Sequence, residues 1–209
     1  MSRPIRKPTP VIVVGQGCGL WGVTFTKSNM SEASDLMVWI DLEMTGLNIE
    51  DCSIIEIATI ITDGELNIVA SGPNLAIKVA DELLDAMDEW NTTHHNRSGL
   101  VSRVQESEID HAEAERLTLE FISQYVEPGM APLCGNSVWN DRKFMEKEMP
   151  AVTDYLHYRM VDVSSIKELA DRWYPEVPRY RKKASHLALD DIVESVEELR
   201  YYRQKIFTK

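Results

Sequence analysis

The sequence predicts an α/β fold: a mixed β-sheet, with an antiparallel three-strand meander plus parallel strands, flanked by α-helices. Three observations predict it. Three β-type runs follow one another with short turns between them, which fits an antiparallel meander. Short apolar strands then alternate with helical periodicities, which fits parallel strands joined through helices. The 209 residues, 44% of them hydrophobic, suffice for one domain with a substantial core.

The first strand is predicted over residues 36–44, an apolar run interrupted only by Asp41 and Glu43. A loop carrying Gly46 follows. Residues 54–61 are rich in β-branched side chains, and Asp63-Gly64 behind them signals a hairpin. Leu66 to Lys78 supplies a third strand, interrupted at Gly72-Pro73. From His111 to Val126 the apolar positions Leu117, Phe121, Ile122 and Val126 mark a helix that stops at Pro128-Gly129. Residues 132–135 read as a short buried strand and Asp141 to Leu156 as one helix. Met160 to Val163 is another short strand, Ser164 to Trp173 another helix. A last amphipathic helix runs from about Leu187 to Phe207.

Residues 1–29 differ from the rest. They hold Arg3, Arg6, Lys7 and Lys27 and no acid, so residues 30–209 set 18 bases against all 34 acids, a net charge of −16. The division predicted is an N-terminal extension over 1–29, as an upstream start or a transit segment, and one α/β domain over 30–209. No apolar stretch approaches the roughly 18 residues that cross a bilayer. Cys18, Cys52 and Cys134 form no CxxC pair, which disfavours a disulfide framework or zinc site and fits a reducing compartment. The expected location is the cytoplasm, or mitochondria should residues 1–29 be a transit segment. The formal charge of −12 disfavours sequence-independent binding of long nucleic acid, which needs broad basic surfaces. A metal-dependent enzyme acting on very short substrates escapes that objection.

Asp41 and Glu43 carry the chemistry. A strand has period two, so both carboxylates leave the same face. Side by side they repel and lose hydration, which a divalent cation would relieve. A strand whose acidic end meets solvent is the bland alternative. Three further segments supply partners. In Gly135-Asn136-Ser137-Val138-Trp139-Asn140-Asp141 an Asp opens a helix, where it can also serve as a simple cap. In His186-Leu187-Ala188-Leu189-Asp190-Asp191 a His precedes a helix with two adjacent acids. Helical spacing does not choose between Asp190 and Asp191.

The order Asp-x-Glu on a first strand, Asp at a later helix start, then His-x4-Asp near the C-terminus resembles the DEDDh exonucleases, and the resemblance covers residues 30–209. The strings Trp39 to Leu47, Gly135-Asn136-Ser137 and His186 to Asp191 are similar to the branch acting on the shortest RNA fragments. The resemblance implies a ribonuclease-H-like fold and a 3′-to-5′ exoribonuclease that completes RNA degradation by releasing nucleoside 5′-monophosphates. It assigns Asp41, Glu43, Asp141 and Asp191 as metal ligands, preferring Asp191 to Asp190, and His186 as general base. Two Mg2+ or Mn2+ ions suit such hard oxygen ligands and would stabilise attacking and leaving oxygens. A titrating His predicts activity that rises from mildly acid to alkaline pH.

The resemblance further implies a pocket for short single-stranded RNA, of two to about five nucleotides, on an aromatic and apolar platform. Leu47 would wedge between bases and Trp90 would stack; for both, core packing is the alternative. His95 and Ser137 would bond phosphate or ribose. Tyr158 and Arg159, ahead of the fifth strand, would reach across a homodimer to the neighbour's substrate phosphate. Arg179-Tyr180-Arg181-Lys182-Lys183 would attract phosphate beside His186, or be a solvated loop. Trp139 before Asp141 would alter the pocket wall, and Asp162 is expected to be structural. The runner-up is a related exonuclease acting on single-stranded DNA. A non-catalytic nucleic-acid-binding domain should lack at least one ligand, and here all are present. A structural metal cage would leave His186 without a purpose.

Overall fold

The computed structural model describes residues 35–181 and 188–207. Five strands form one sheet in the order β3-β2-β1-β4-β5, with β1 at Met37–Met44, β2 at Ile54–Thr62, β3 at Ile68–Ala76, β4 at Pro132–Gly135 and β5 at His157–Asp162. The first three are antiparallel neighbours, and β4 and β5 run parallel to β1. Eight described helices flank them: α1 Asp81–Asp85, α2 Glu89–Arg97, α3 Leu100–Glu106, α4 His111–Ile122, α5 Trp139–Glu148, α6 Pro150–Tyr155, α7 Val163–Trp173 and α8 Ala188–Ile206. The predicted mixed α/β architecture is the one formed.

The central strand β1 divides two cores by its alternation. Val38, Ile40 and Leu42 face one way, into a cluster with Ile122 of α4, Phe144 of α5 and Val152 of α6. Trp39 faces the other way and packs with Ile60 of β2 and Ala188, Ile192 and Val196 of α8. Those three α8 positions recur every fourth residue, so one stripe of the helix lies on the sheet. Trp39 Nε1 donates to Thr62 Oγ1 at 2.9 Å, which satisfies the indole inside that layer. Asp41 and Glu43 continue the Trp39 face beyond this core.

Four local details depart from the sequence reading. The helix expected over 141–156 is two helices, α5 and α6, broken at Met149, whose φ is −142°. Pro150 explains the break, since it lacks an N–H and bars its predecessor from helical geometry. The third strand is shorter than Leu66 to Lys78, yet it passes through Gly72-Pro73 with a register shift. It lies at the sheet edge, where the missing proline donor costs little. A Cβ on Gly72 would stand 2.5 Å from the Phe121 ring, so glycine lets α4 lie against β3. At the hairpin the left-handed residue is Leu66 (φ +67°), not Gly64. Asp63 Oδ1 accepts from the Glu65 and Asn67 amides at 2.9 and 2.8 Å, and burial of the Leu66 side chain offsets a strain of roughly 1–2 kcal/mol. Finally, β5 begins at His157, so Tyr158 and Arg159 lie within the strand rather than before it.

Candidate active site

The C-terminal end of β1 gathers the acids. One oxygen each from Asp41, Glu43 and Asp191 lie within 4.8 Å of one another. Period two puts the first pair on the face covered by α8, and the first turn of α8 brings Asp191 over them. Asp191, not its neighbour Asp190, belongs to this group. Asp141 arrives separately, from the first turn of α5. Its Oδ1 accepts from the Leu42 amide at 3.0 Å. The parallel ladder of β4 meets β1 only at Val38 and Trp39, which leaves the Leu42 amide for this contact.

Electrostatics set this corner apart. Glu43 is pushed up to about 8, first by burial and then by the negative charges of Glu56, Asp191 and Asp141. Asp141 is also held well above the usual carboxylate range, by burial first, against its hydrogen bond from Leu42 and with Asp162 adding repulsion. Glu56 went unnoticed in the sequence. It stands directly opposite Glu43 in the β1–β2 ladder and is 1% exposed. Arg103 of α3 donates to its Oε1 at 2.6 Å. The available signal was a lone acid in the run Ile54-Ile55-Glu56-Ile57, uninterpretable until the register sets it against Glu43.

His95 is buried on α2, with Nε2 3.0 Å from the Met44 carbonyl and Nδ1 4.0 Å from Glu43 Oε2. A carbonyl only accepts, so Nε2 carries a proton and donates it to Met44, which leaves Nδ1 facing Glu43. Burial lowers the imidazole's affinity for a second proton. Leu47 and Trp90 are 73% and 61% exposed, which rules out core packing for both. Trp90 stacks on His94 with ring centroids 3.9 Å apart. Ser137 adopts φ +51°; its amide donates to Asp162 Oδ1 at 2.9 Å and its hydroxyl to Ser164 Oγ at 3.1 Å. Asp162 also accepts from the Ser164 amide as the N-cap of α7, the structural role expected of it. Tyr158 is 69% exposed on β5, with the Arg159 guanidinium 5.4 Å from its ring. Trp139 is exposed at the start of α5, with Lys143 over its ring at 4.3 Å. In the basic stretch Arg179 pairs with Asp171 at 2.6 Å. His186, Lys182 and Lys183 lie outside the described residues, as does the whole 1–29 extension.

Two carboxylates from β1, one from α8 and one from α5 at one end of the sheet suit hard divalent cations, which prefer all-oxygen ligand sets. Comparison with known proteins agrees. A family model described as Exonuclease matches residues 38–199, nearly all of the sheet and its helices. The oligoribonuclease of Alcanivorax borkumensis is 56% identical over 176 residues, covering 84% of this chain and 97% of that protein. That of Acinetobacter baylyi is 54% identical over 86% of this chain and 100% of its own length. The human mitochondrial oligoribonuclease is 55% identical over 83% of this chain and 74% of its own. The fold also resembles Escherichia coli exonuclease I in complex with a 5cy-dT13 oligonucleotide, with a TM-score of 0.63 at 15% identity. That match covers 82% of this chain and 41% of the larger enzyme. Fold and site thus define a ribonuclease-H-like exonuclease. The chain belongs to the oligoribonuclease family of DEDDh enzymes, and its activity is that of a 3′-to-5′ exoribonuclease.

Proposed function

We propose that this exoribonuclease acts on very short single-stranded RNA, down to dinucleotides, and releases nucleoside 5′-monophosphates from the 3′ end in the last step of RNA breakdown. The observation that carries the proposal is the carboxylate group of Asp41, Glu43, Asp141 and Asp191, together with two exposed apolar side chains, Leu47 in the loop after β1 and Trp90 on the helix that sets His95 near Glu43. Relatives more than half identical bear the name oligoribonuclease, which supports RNA and short length together. The acidic balance of residues 30–209 also favours short substrates, because a long strand would need a basic track.

The four carboxylates would hold two divalent cations, Mg2+ or Mn2+. When bound, these would neutralise the scissile phosphate and lower the pKa of a water near it. The chain's own residues do the rest. Glu43, raised by burial and by its acidic neighbours, would give up its proton where a cation's charge compensates it. His186 accepts the proton of the attacking water, an assignment carried by the sequence pattern. Leu47 and Trp90 clamp the bases by wedging and stacking. His95 and Ser137 contact ribose or phosphate. Tyr158 and Arg159 complete the neighbouring site in a homodimer. Support for pairing comes from β5, an edge strand that exposes Tyr158 and Met160. Residues 1–29 remain an appendage to the catalytic domain in this account. Among the described residues no helix is long and apolar enough to cross a membrane. The location proposed is the cytoplasm, or mitochondria should residues 1–29 be a transit segment.

The test is hydrolysis of 5′-labelled RNAs of graded length, from the dinucleotide upward, with Mg2+ or Mn2+. DNA of equal length and Asp141→Ala serve as controls. Fastest cleavage of the RNA dinucleotide, lost with EDTA and with the substitution, is expected. Preference for long RNA would discard the closed pocket, and preference for DNA would discard the RNA assignment.

A further inference from the structure

Asn136 sits between β4 and the turn that leads to α5, outside the carboxylate group, yet its amide joins three elements that surround the site. Its Nδ2 donates to Ser195 Oγ at 2.8 Å and to Glu198 Oε2 at 3.1 Å, both on α8. Its Oδ1 accepts from Ser164 Oγ of α7 at 3.1 Å. A carboxylate can only accept, so Glu198 fixes which end of the amide faces α8. Glu198 is itself buried, with Lys167 of α7 3.8 Å away. Ser195 in turn donates to the backbone carbonyl of Asp191 at 2.8 Å.

These bonds run in one direction. Ser137 gives its proton to Ser164, Ser164 to the Asn136 carbonyl, Asn136 to Ser195, and Ser195 to Asp191. The inner members Ser164, Asn136 and Ser195 each both accept and donate, the arrangement in which successive hydrogen bonds strengthen one another. Asp191 reaches Asp41 and Glu43 only if the first turn of α8 keeps its height over β1. Apolar packing of Ala188, Ile192 and Val196 presses that helix on the sheet but does little to fix its position along its own axis. The Asn136 amide, directional and anchored on the end of β4, supplies such a constraint in the half of α8 that carries Asp191, as Arg200 and Arg203 do farther along through the Leu66 carbonyl and Glu65.

We infer that Asn136 is a positioning residue for divalent-cation binding, setting the Asp191 carboxylate against Asp41 and Glu43 through Ser195. This rests on the metal-site reading above. Metal-ligand supports of this kind typically carry about ten- to a hundredfold in affinity.

The test titrates Mn2+ alone, with no RNA present, into the full chain by calorimetry. Asn136→Ala should weaken binding by about tenfold, and Ser195→Ala by a smaller factor. The double variant should be no weaker than Asn136→Ala, because both cut the same line. Circular dichroism and the metal-free melting temperature establish folding. Ser195→Ala, which loses one hydroxyl, keeps the inference testable if Asn136→Ala does not fold. An amide that serves only stability would lower the melting temperature and leave Mn2+ affinity untouched, and wild-type affinity in the folded variants would overturn the inference. A wild-type chain that binds no Mn2+ would instead sink the metal reading itself.

Discussion

Glu43 and Glu148 are both acids in the same domain, with side chains 23% and 14% exposed, yet their environments are opposites. Glu148, near the end of α5, lies 3.2 Å from His111 Nε2 and accepts from Ser53 Oγ at 3.1 Å and the Ile54 amide at 2.8 Å. Burial alone would raise its pKa, but the His111 hydrogen bond, the Ile54 amide and the positive imidazole outweigh it, and the carboxyl is lowered. Glu43 faces three further acids and is raised to about 8. Burial by itself therefore does not mark the functional acid. Burial left uncompensated by the protein's own groups does, because a cation from solution can then complete the balance.

The sharpest way to break this contrast is to neutralise each acid in turn. Asp41→Asn or Glu43→Gln should cut hydrolysis of the RNA dinucleotide by roughly a thousandfold or more, since cation ligation is worth several kcal/mol. Glu148→Gln should leave the rate within about twofold, as read in the same assay, because the bonds of Glu148 go to His111, Ser53 and Ile54 and not to the four carboxylates. Arg103→Ala comes next. It strands the buried Glu56 carboxylate and should cost about 3 kcal/mol in urea unfolding. If that loss is below about 1 kcal/mol, the Arg103 contact is not what compensates the burial of Glu56.

Smaller effects sharpen the contrast through pH. Glu43's folded pKa lies above its unfolded value of 4.5, so the folded state binds the extra proton. Without cations, that group should cost stability progressively as pH rises from about 4.5 to 8, and saturating Mg2+ should remove the slope. The His111–Glu148 brace behaves otherwise. Glu148, lowered from 4.5, stabilises above that value and ceases to do so as pH falls through its folded pKa. His111, raised from 6.5 because Glu148 outweighs desolvation, stabilises below that value and ceases to do so as pH rises through its folded pKa. The cost of Glu148→Gln should be greatest between about 4.5 and 6.5, at about 1–2 kcal/mol, as measured by melting over a pH series.

What the sequence made legible follows from range. Asp41 and Glu43 share a face by strand period alone, and α8 declares its apolar stripe at Ala188, Ile192 and Val196 within one helix. Asp141 was legible as an acid at a helix start, though its bond to Leu42 spans 99 residues and depends on where β4 ends. Glu56 and Asn136 were not legible. The first acquires meaning from strand register and the second from three elements meeting at one amide. The misread helix at Met149 is a different failure, since Pro150 was visible and local geometry overrides a continuing apolar period. The hairpin at Asp63 shows tertiary context winning, because a buried leucine took the left-handed position that glycine would fill in isolation.

Thermal unfolding of wild type and Glu43→Gln at pH 8, each with EDTA and with Mg2+, tests the central claim most directly. An uncompensated acid predicts that Glu43→Gln melts higher than wild type in EDTA, and that Mg2+ raises the wild type well above its EDTA value while scarcely moving the variant. A variant that melts lower in EDTA, or responds to Mg2+ as wild type does, would contradict it.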